Sequence, residues 1–158
     1  MSSSMDSEFE TKLKTYFEEM PAAVDAATPL KDGVEIELVI EGHSFTFKKE
    51  SKKNRFMPGA PETPDVVFTL TKIAAEKIIT SNAATVGEIG IDILKLIVSK
   101  DPSEKVRVAS RVGPLTLIRN GYLNVIGKGG GTVAKFLAQH GLGSLGKIKN
   151  FISSIKQS

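Results

Sequence analysis

From Val34 to Ile40 the chain alternates, with Val34, Ile36, Leu38 and Ile40 on one side and Glu35 and Glu37 on the other. A repeat of two is the mark of a strand with one buried and one wet face. Alternation resumes from Ser44 to Lys49, with Phe45 and Phe47 inward and Thr46 and Lys48 outward. Glu41-Gly42-His43 reads as the tight turn of a hairpin. Two such strands do not stand alone in water. They need further strands beside them and an apolar layer over the shared face.

The rest of the chain offers both. Asp65 to Leu70 (DVVFTL) is rich in β-branched and aromatic residues, as strands are. Lys105 to Val112 alternates again, with Val106, Val108, Ser110 and Val112 against Lys105, Arg107, Ala109 and Arg111. Residues 50–64 read as a loop that holds a short strand near Arg55–Met57. Helices surround these segments. Ser7 and Glu10 form a capping-box pattern ahead of a stripe at Phe9, Leu13, Tyr16, Phe17 and Met20, and Pro21 ends or kinks that helix. Thr71 caps a helix to about Thr80. Thr85 and Glu88 start another, with Ile89, Ile93, Leu96 and Ile97 on one face. Leu115 to Ile126 has helical spacing, with a strand over Gly121–Ile126 as the competing reading. Gly127 to Gly131 is a joint before helices at Thr132–His140 and Ser144–Lys156. This order predicts an α+β fold: a mostly antiparallel sheet of about five strands, covered by helices on one face.

A chain of 158 residues fits one domain and can bury a substantial core. It has no Cys, hence no disulfide, thiolate metal site or Cys nucleophile. The first residues lack the basic and apolar blocks of a signal peptide. The densest apolar run, Ile89 to Val98, is interrupted by Gly90, Asp92 and Lys95 and falls short of the ~20 residues of a membrane span. A soluble, cytoplasmic protein is expected. The net charge of +3 conceals a gradient, because Lys105 to Ser158 contains nine Lys or Arg and no Asp or Glu. That favours a face toward anionic partners, unless the halves neutralise each other across the fold.

Catalytic signatures are absent from the pattern. His43 and His140 stand in no metal-binding spacing, so no metal is expected, and there is no Gly-x-Ser-x-Gly elbow. In GKGGGT (127–132) the Lys precedes the glycines, the reverse of a phosphate-binding loop. The basic residues are dispersed and the Phe residues point inward, which argues against nucleic acid. No cofactor is indicated. What remains is an abundance of apolar surface, which fits either a close-packed core or a cavity for an apolar ligand.

The stretch Pro64-Asp-Val-Val-Phe-Thr-Leu-Thr71, running straight into an amphipathic helix, resembles the ADVTLTL-type strand of the sterol carrier protein 2 (SCP2) family. The hairpin at Gly33–Lys49 matches the family's first two strands in order and spacing. Lys105 to Gly113, followed by an amphipathic helix, is similar to its last strand. The resemblance covers about residues 7–126 of a single 158-residue domain, with 127–158 as a C-terminal helical extension. It implies a five-stranded sheet and helices enclosing an apolar tunnel. It also implies non-enzymatic binding, and possible transfer between membranes, of a sterol, fatty acid, acyl-CoA or phospholipid. Two departures leave the ligand class open: the helix Val86–Val98 and the C-terminal extension. The peroxisomal signal of some members is absent, since the chain ends Lys156-Gln-Ser.

On this reading the ligand lies between Phe45, Phe47 and Phe68 of the sheet and Ile89, Ile93, Ile97, Leu115, Ile118 and Tyr122 of the helices. The terminal helix, with Lys147, Lys149, Phe151 and Lys156, rests on an anionic membrane or docks on the core. The alternative function is a protein-interaction or dimerisation module on the same fold, with oligomeric state open.

Overall fold

The computed structural model describes residues 7–81, 85–99 and 101–128, together with Lys135. Five strands form one mixed sheet: β1 (Glu35–Ile40), β2 (His43–Glu50), β3 (Lys53–Pro58), β4 (Val66–Leu70) and β5 (Val106–Ser110), in the order β3-β2-β1-β4-β5. Three of the four pairings are antiparallel, and β1–β4 is parallel. The helices are α1 (Ser7–Glu19), α2 (Pro21–Ala26), α3 (Lys72–Ile79), α4 (Val86–Val98), α5 (Pro114–Arg119) and α6 (Tyr122–Gly127). The α+β reading holds, with the late strand returning to the sheet beside β4.

The period-two pattern fixes the inward face. Phe56, Phe47, Ile36 and Val66 are successive cross-strand partners, and so are Pro58, Phe45, Leu38, Phe68 and Val108. α1 crosses β3 and lays Phe17 on Phe56, ring centroids 5.2 Å apart and nearly parallel. Phe45 stacks on the other side of Phe56 at 5.4 Å. Phe17 also meets Phe47 edge-on at 5.8 Å. Aromatic contacts of this kind add about 0.5–1.5 kcal/mol each beyond area burial.

The outer face is crossed by the chain itself. Residues 59–65 carry the chain from β3 over β2 and β1 to β4. Thr46 Oγ1 donates to Gly59 O at 2.8 Å, and Thr63 Oγ1 donates to Glu35 Oε1 at 3.2 Å. This strap explains why Thr46, on the outward side, is buried.

Two sequence readings change. The segment after β2 is a full edge strand, since Ser51 and Lys52 form a two-residue turn, both with positive φ (52° and 65°). That turn type favours Asn-Gly, so Ser-Lys gave no signal. Leu115–Ile126 is two short helices, broken where Gly121 adopts φ 99°. The strand alternative for Gly121–Ile126 does not hold. As expected, α1 ends ahead of Pro21, which opens α2 at the first helical position, where its missing N–H costs nothing. The capping box of α4 forms as expected: Glu88 N donates to Thr85 Oγ1 at 3.2 Å, and Thr85 N to Glu88 Oε1 at 3.3 Å. At its other end Lys105 Nζ donates to the carbonyls of Ile97 and Ser99. A cation there also suits the negative end of the helix dipole.

Candidate functional site

The inner face is not evenly enclosed. Over β2 and β3 the space is filled. Phe45, Phe47 and Phe56 are buried, α1 lays Phe17 on Phe47 and Phe56, and its Phe9, Leu13 and Tyr16 are buried in the same core. Over β1, β4 and β5 enclosure is uneven: Leu38, Ile40, Val66, Leu70 and Val106 are buried, and other apolar side chains are only partly enclosed. Ile36, Phe68 and Val108 of the sheet, Ile93 and Ile97 of α4, and Tyr122 and Val125 of α6 pack against the core but stay half-buried. Apolar surface arranged around a core yet left partly in contact with water is what an apolar ligand would cover.

α1 is 13 residues, about 20 Å long, and lies on the β3 side. On the β5 side lie α4, also 13 residues, and the six-residue α5 and α6. Tyr122 is held at the start of α6 by Asp65, which precedes β4. Its hydroxyl donates to Asp65 Oδ2 at 3.4 Å, and Asn120 Nδ2 donates to the same oxygen at 2.7 Å. Burial, with Asp65 close by, pushes the Tyr122 phenol well above its ordinary value, so it remains a neutral donor. Burial does the same for Tyr16, helped by Asp92.

The structure therefore sorts the nine residues predicted to meet a ligand. Phe68, Ile93, Ile97 and Tyr122 fall in the half-open region, and Ile118 is half-buried on α5. Phe45 and Phe47 lie in the closed aromatic stack. Ile89 is buried against Ala22 of α2. Leu115 is 72% exposed and turns away from the interior. It stands in the first turn of α5, whose buried position is Leu117, two residues on. Ile36, Val108 and Val125 belong with the half-open group, and the alternation of β1 and β5 already put the first two on the inner face. Lys147, Lys149, Phe151 and Lys156, with the helices proposed for 132–140 and 144–156, lie outside the described residues.

Polar features are sparse nearby. A separate cleft of about 640 Å³ opens where β1 and β4 end, bordered by Glu41, Leu70, Thr71, Ser99, Lys105 and Arg107 among others. None of the nine predicted residues borders it. Its charged groups are largely engaged in holding the fold: Glu41 Oε2 accepts from Lys72 N at 2.9 Å, and Lys105 caps α4. Among the described residues no group of three or more His, Asp or Glu is arranged to hold a metal ion. Nor is any described helix long and apolar enough to cross a membrane.

Two chains of solved structures match this chain. The chain is similar in structure to an SCP2 protein. That solved structure is described as "UbiJ-SCP2 Ubiquinone synthesis protein"; the match covers 75% of this chain and 90% of the other, at 14% identity and a TM-score of 0.45. No protein-family model and no curated protein matches this sequence.

Proposed function

We propose that this protein binds a long apolar ligand of the lipid class, without performing chemistry on it. The observation that carries this reading is a set of apolar side chains, Ile36, Phe68, Val108, Ile93, Ile97, Tyr122 and Val125, that pack against the buried core yet stay half-buried in the described chain. Each methylene buried there contributes roughly 0.8 kcal/mol, so an acyl chain or isoprenoid tail gains enough to bind tightly. The sequence resemblance to the SCP2 family supports the same reading.

The finer proposals concern what happens next. Lys147, Lys149 and Lys156 beside Phe151 would draw the protein to anionic membrane, each Lys adding about 1 kcal/mol near such a surface. Transfer between membranes follows if the loaded protein leaves again.

Native mass spectrometry of protein purified from cells tests the central claim. A ligand-sized mass increment that organic extraction removes, with the extract identified as lipid, supports it. A clean apo mass, together with no binding of fluorescent fatty acid or isoprenoid probes, refutes it. Flotation with neutral and anionic vesicles tests the membrane step, and equal binding to both removes the electrostatic part.

A further inference from the structure

Among the described residues Leu115 is the most exposed large apolar side chain, at 72% against 48% for Ile73 and 40% for Met57. By itself an exposed Leu is ordinary. What marks this one is its setting. Leu115 stands in the first turn of α5, and Arg119 follows at i+4, on the same face and also exposed. Arg111, exposed as well, lies just ahead of the helix. The inward side of α5 carries Leu117, which forms a buried cluster with Val66, and Phe68, Val108 and Tyr122 pack against that cluster. One short helix thus has the half-open apolar region on one side and Leu115 on the other.

The charges here are unbalanced. Three of the four Arg of the chain, Arg107, Arg111 and Arg119, fall on β5 and α5 or between them, and all three are exposed. Among the described residues no ion pair reaches any of them, whereas Arg55 pairs with Glu50. The chain that follows cannot supply a side-chain carboxylate, since Lys105 to Ser158 contains no Asp or Glu. Asp65, whose main-chain carbonyl accepts from Arg111 N at 2.8 Å, commits its carboxylate to Asn120 and Tyr122.

A partner for this surface must be anionic for the Arg and apolar for the Leu. Guanidinium suits phosphate, whose oxygens it meets two at a time. Nucleic acid offers phosphate but buries no Leu beneath it. A second copy of the chain, seated face to face on this patch, would bring like charges together. A bilayer of anionic phospholipid meets both needs, with phosphates at its surface and acyl chains below. We infer that Arg111, Leu115 and Arg119 form a contact for an anionic phospholipid membrane, with Leu115 entering between the headgroups. The inference deepens the lipid-binding reading above. It gives the membrane step to the described core, and sets the half-open region directly behind the contact.

The test is flotation with vesicles of phosphatidylcholine alone and of equal parts phosphatidylcholine and phosphatidylglycerol. The unmodified protein should bind the mixed vesicles. Arg111→Gln with Arg119→Gln should weaken that binding about 25-fold, the product of the two charges. Leu115→Ser should weaken it about tenfold. Replacing Lys147, Lys149 and Lys156 by Gln should leave binding that still depends on Arg111 and Arg119. All these positions in the core are exposed, and unchanged circular dichroism should show that the variants fold. Three results would overturn the inference: no binding of mixed vesicles by the unmodified protein, Arg and Leu variants that bind as the parent does, or a dimer in light scattering that Leu115→Ser splits. Binding of a fluorescent fatty acid without vesicles should be unaffected by these substitutions. If the unmodified protein bound no such probe, the lipid reading would fail, while flotation would still decide the membrane contact.

Discussion

Gly121 packs against Pro29 so closely that no side chain fits between them: a Cβ added to Gly121 would lie 2.1 Å from Pro29 O and 2.8 Å from its carbonyl carbon. The same Gly121 has φ 99°, which other residues rarely adopt. Beside it, Lys31 N donates to Asn120 O at 3.1 Å, joining the segment before β1 to the turn between α5 and α6. This turn aims Tyr122 at the interior. Gly121→Ala must move backbone against backbone, and should cost about 2–4 kcal/mol, read as a lower urea midpoint at unchanged slope. A loss below 0.5 kcal/mol would show that the contact is not held in solution.

Both tyrosines of the chain, Tyr16 and Tyr122, are buried or half-buried with phenols raised above the ordinary value of about 10. The folded state then keeps protons that the unfolded chain releases. The unfolded state binds fewer protons above pH ~10, so stability should fall as pH rises past that point. Ultraviolet titration should show no phenolate absorbance near pH 10, and then a rise coincident with unfolding. A reversible phenolate transition near pH 10 in folded protein would contradict the burial of these rings.

Glu18 ties α1 to β3. Burial opposes its charge, but Lys14 Nζ at 2.7 Å and Phe56 N–H at 2.8 Å outweigh it, with Arg55 helping, and its carboxyl sits below the ordinary value. A depressed carboxyl stabilises the fold above the unfolded pKa of about 4.3, and that gain disappears as pH falls through the folded value. Glu18→Gln should therefore cost about 1 kcal/mol at pH 7. The difference from the parent should shrink in acid, as followed by urea denaturation at pH 7 and pH 3.

The β2–β3 turn stores a small strain that can be relieved. Ser51→Asn with Lys52→Gly supplies the pair that tolerates positive φ at both positions. It should raise stability by about 1 kcal/mol, measured as a higher Tm. The bond from Lys52 N to Asp32 Oδ1 is a backbone bond and survives the change. A lower Tm would show that these side chains do more than close the turn.

Ligand contact should follow the half-open region rather than apolar character as such. Phe68→Ala should weaken binding of a fluorescent fatty acid about tenfold or more, by removing half-buried apolar surface. Leu115→Ala should leave it unchanged, since Leu115 faces solvent. Equal effects from the two would place the ligand elsewhere.

By itself the sequence determined the strands and their inward faces. A period of two has only two phases, so one Phe or Ile facing the core settles its neighbours. That is why Ile36, Phe45, Phe68 and Val108 were legible, as were the capping box of α4 and the strand at Lys105–Val112. What only the tertiary structure decided is which apolar residues end up enclosed. Phe47 and Phe68 are alike in local pattern, yet α1 seals the first and leaves the second half-open, because enclosure depends on the length and placement of helices far along the chain. The β2–β3 turn and the break at Gly121 were hidden for a related reason. Each is imposed by contacts from elsewhere, Asp32 on Lys52 and Pro29 on Gly121, and such contacts leave no trace in a local pattern.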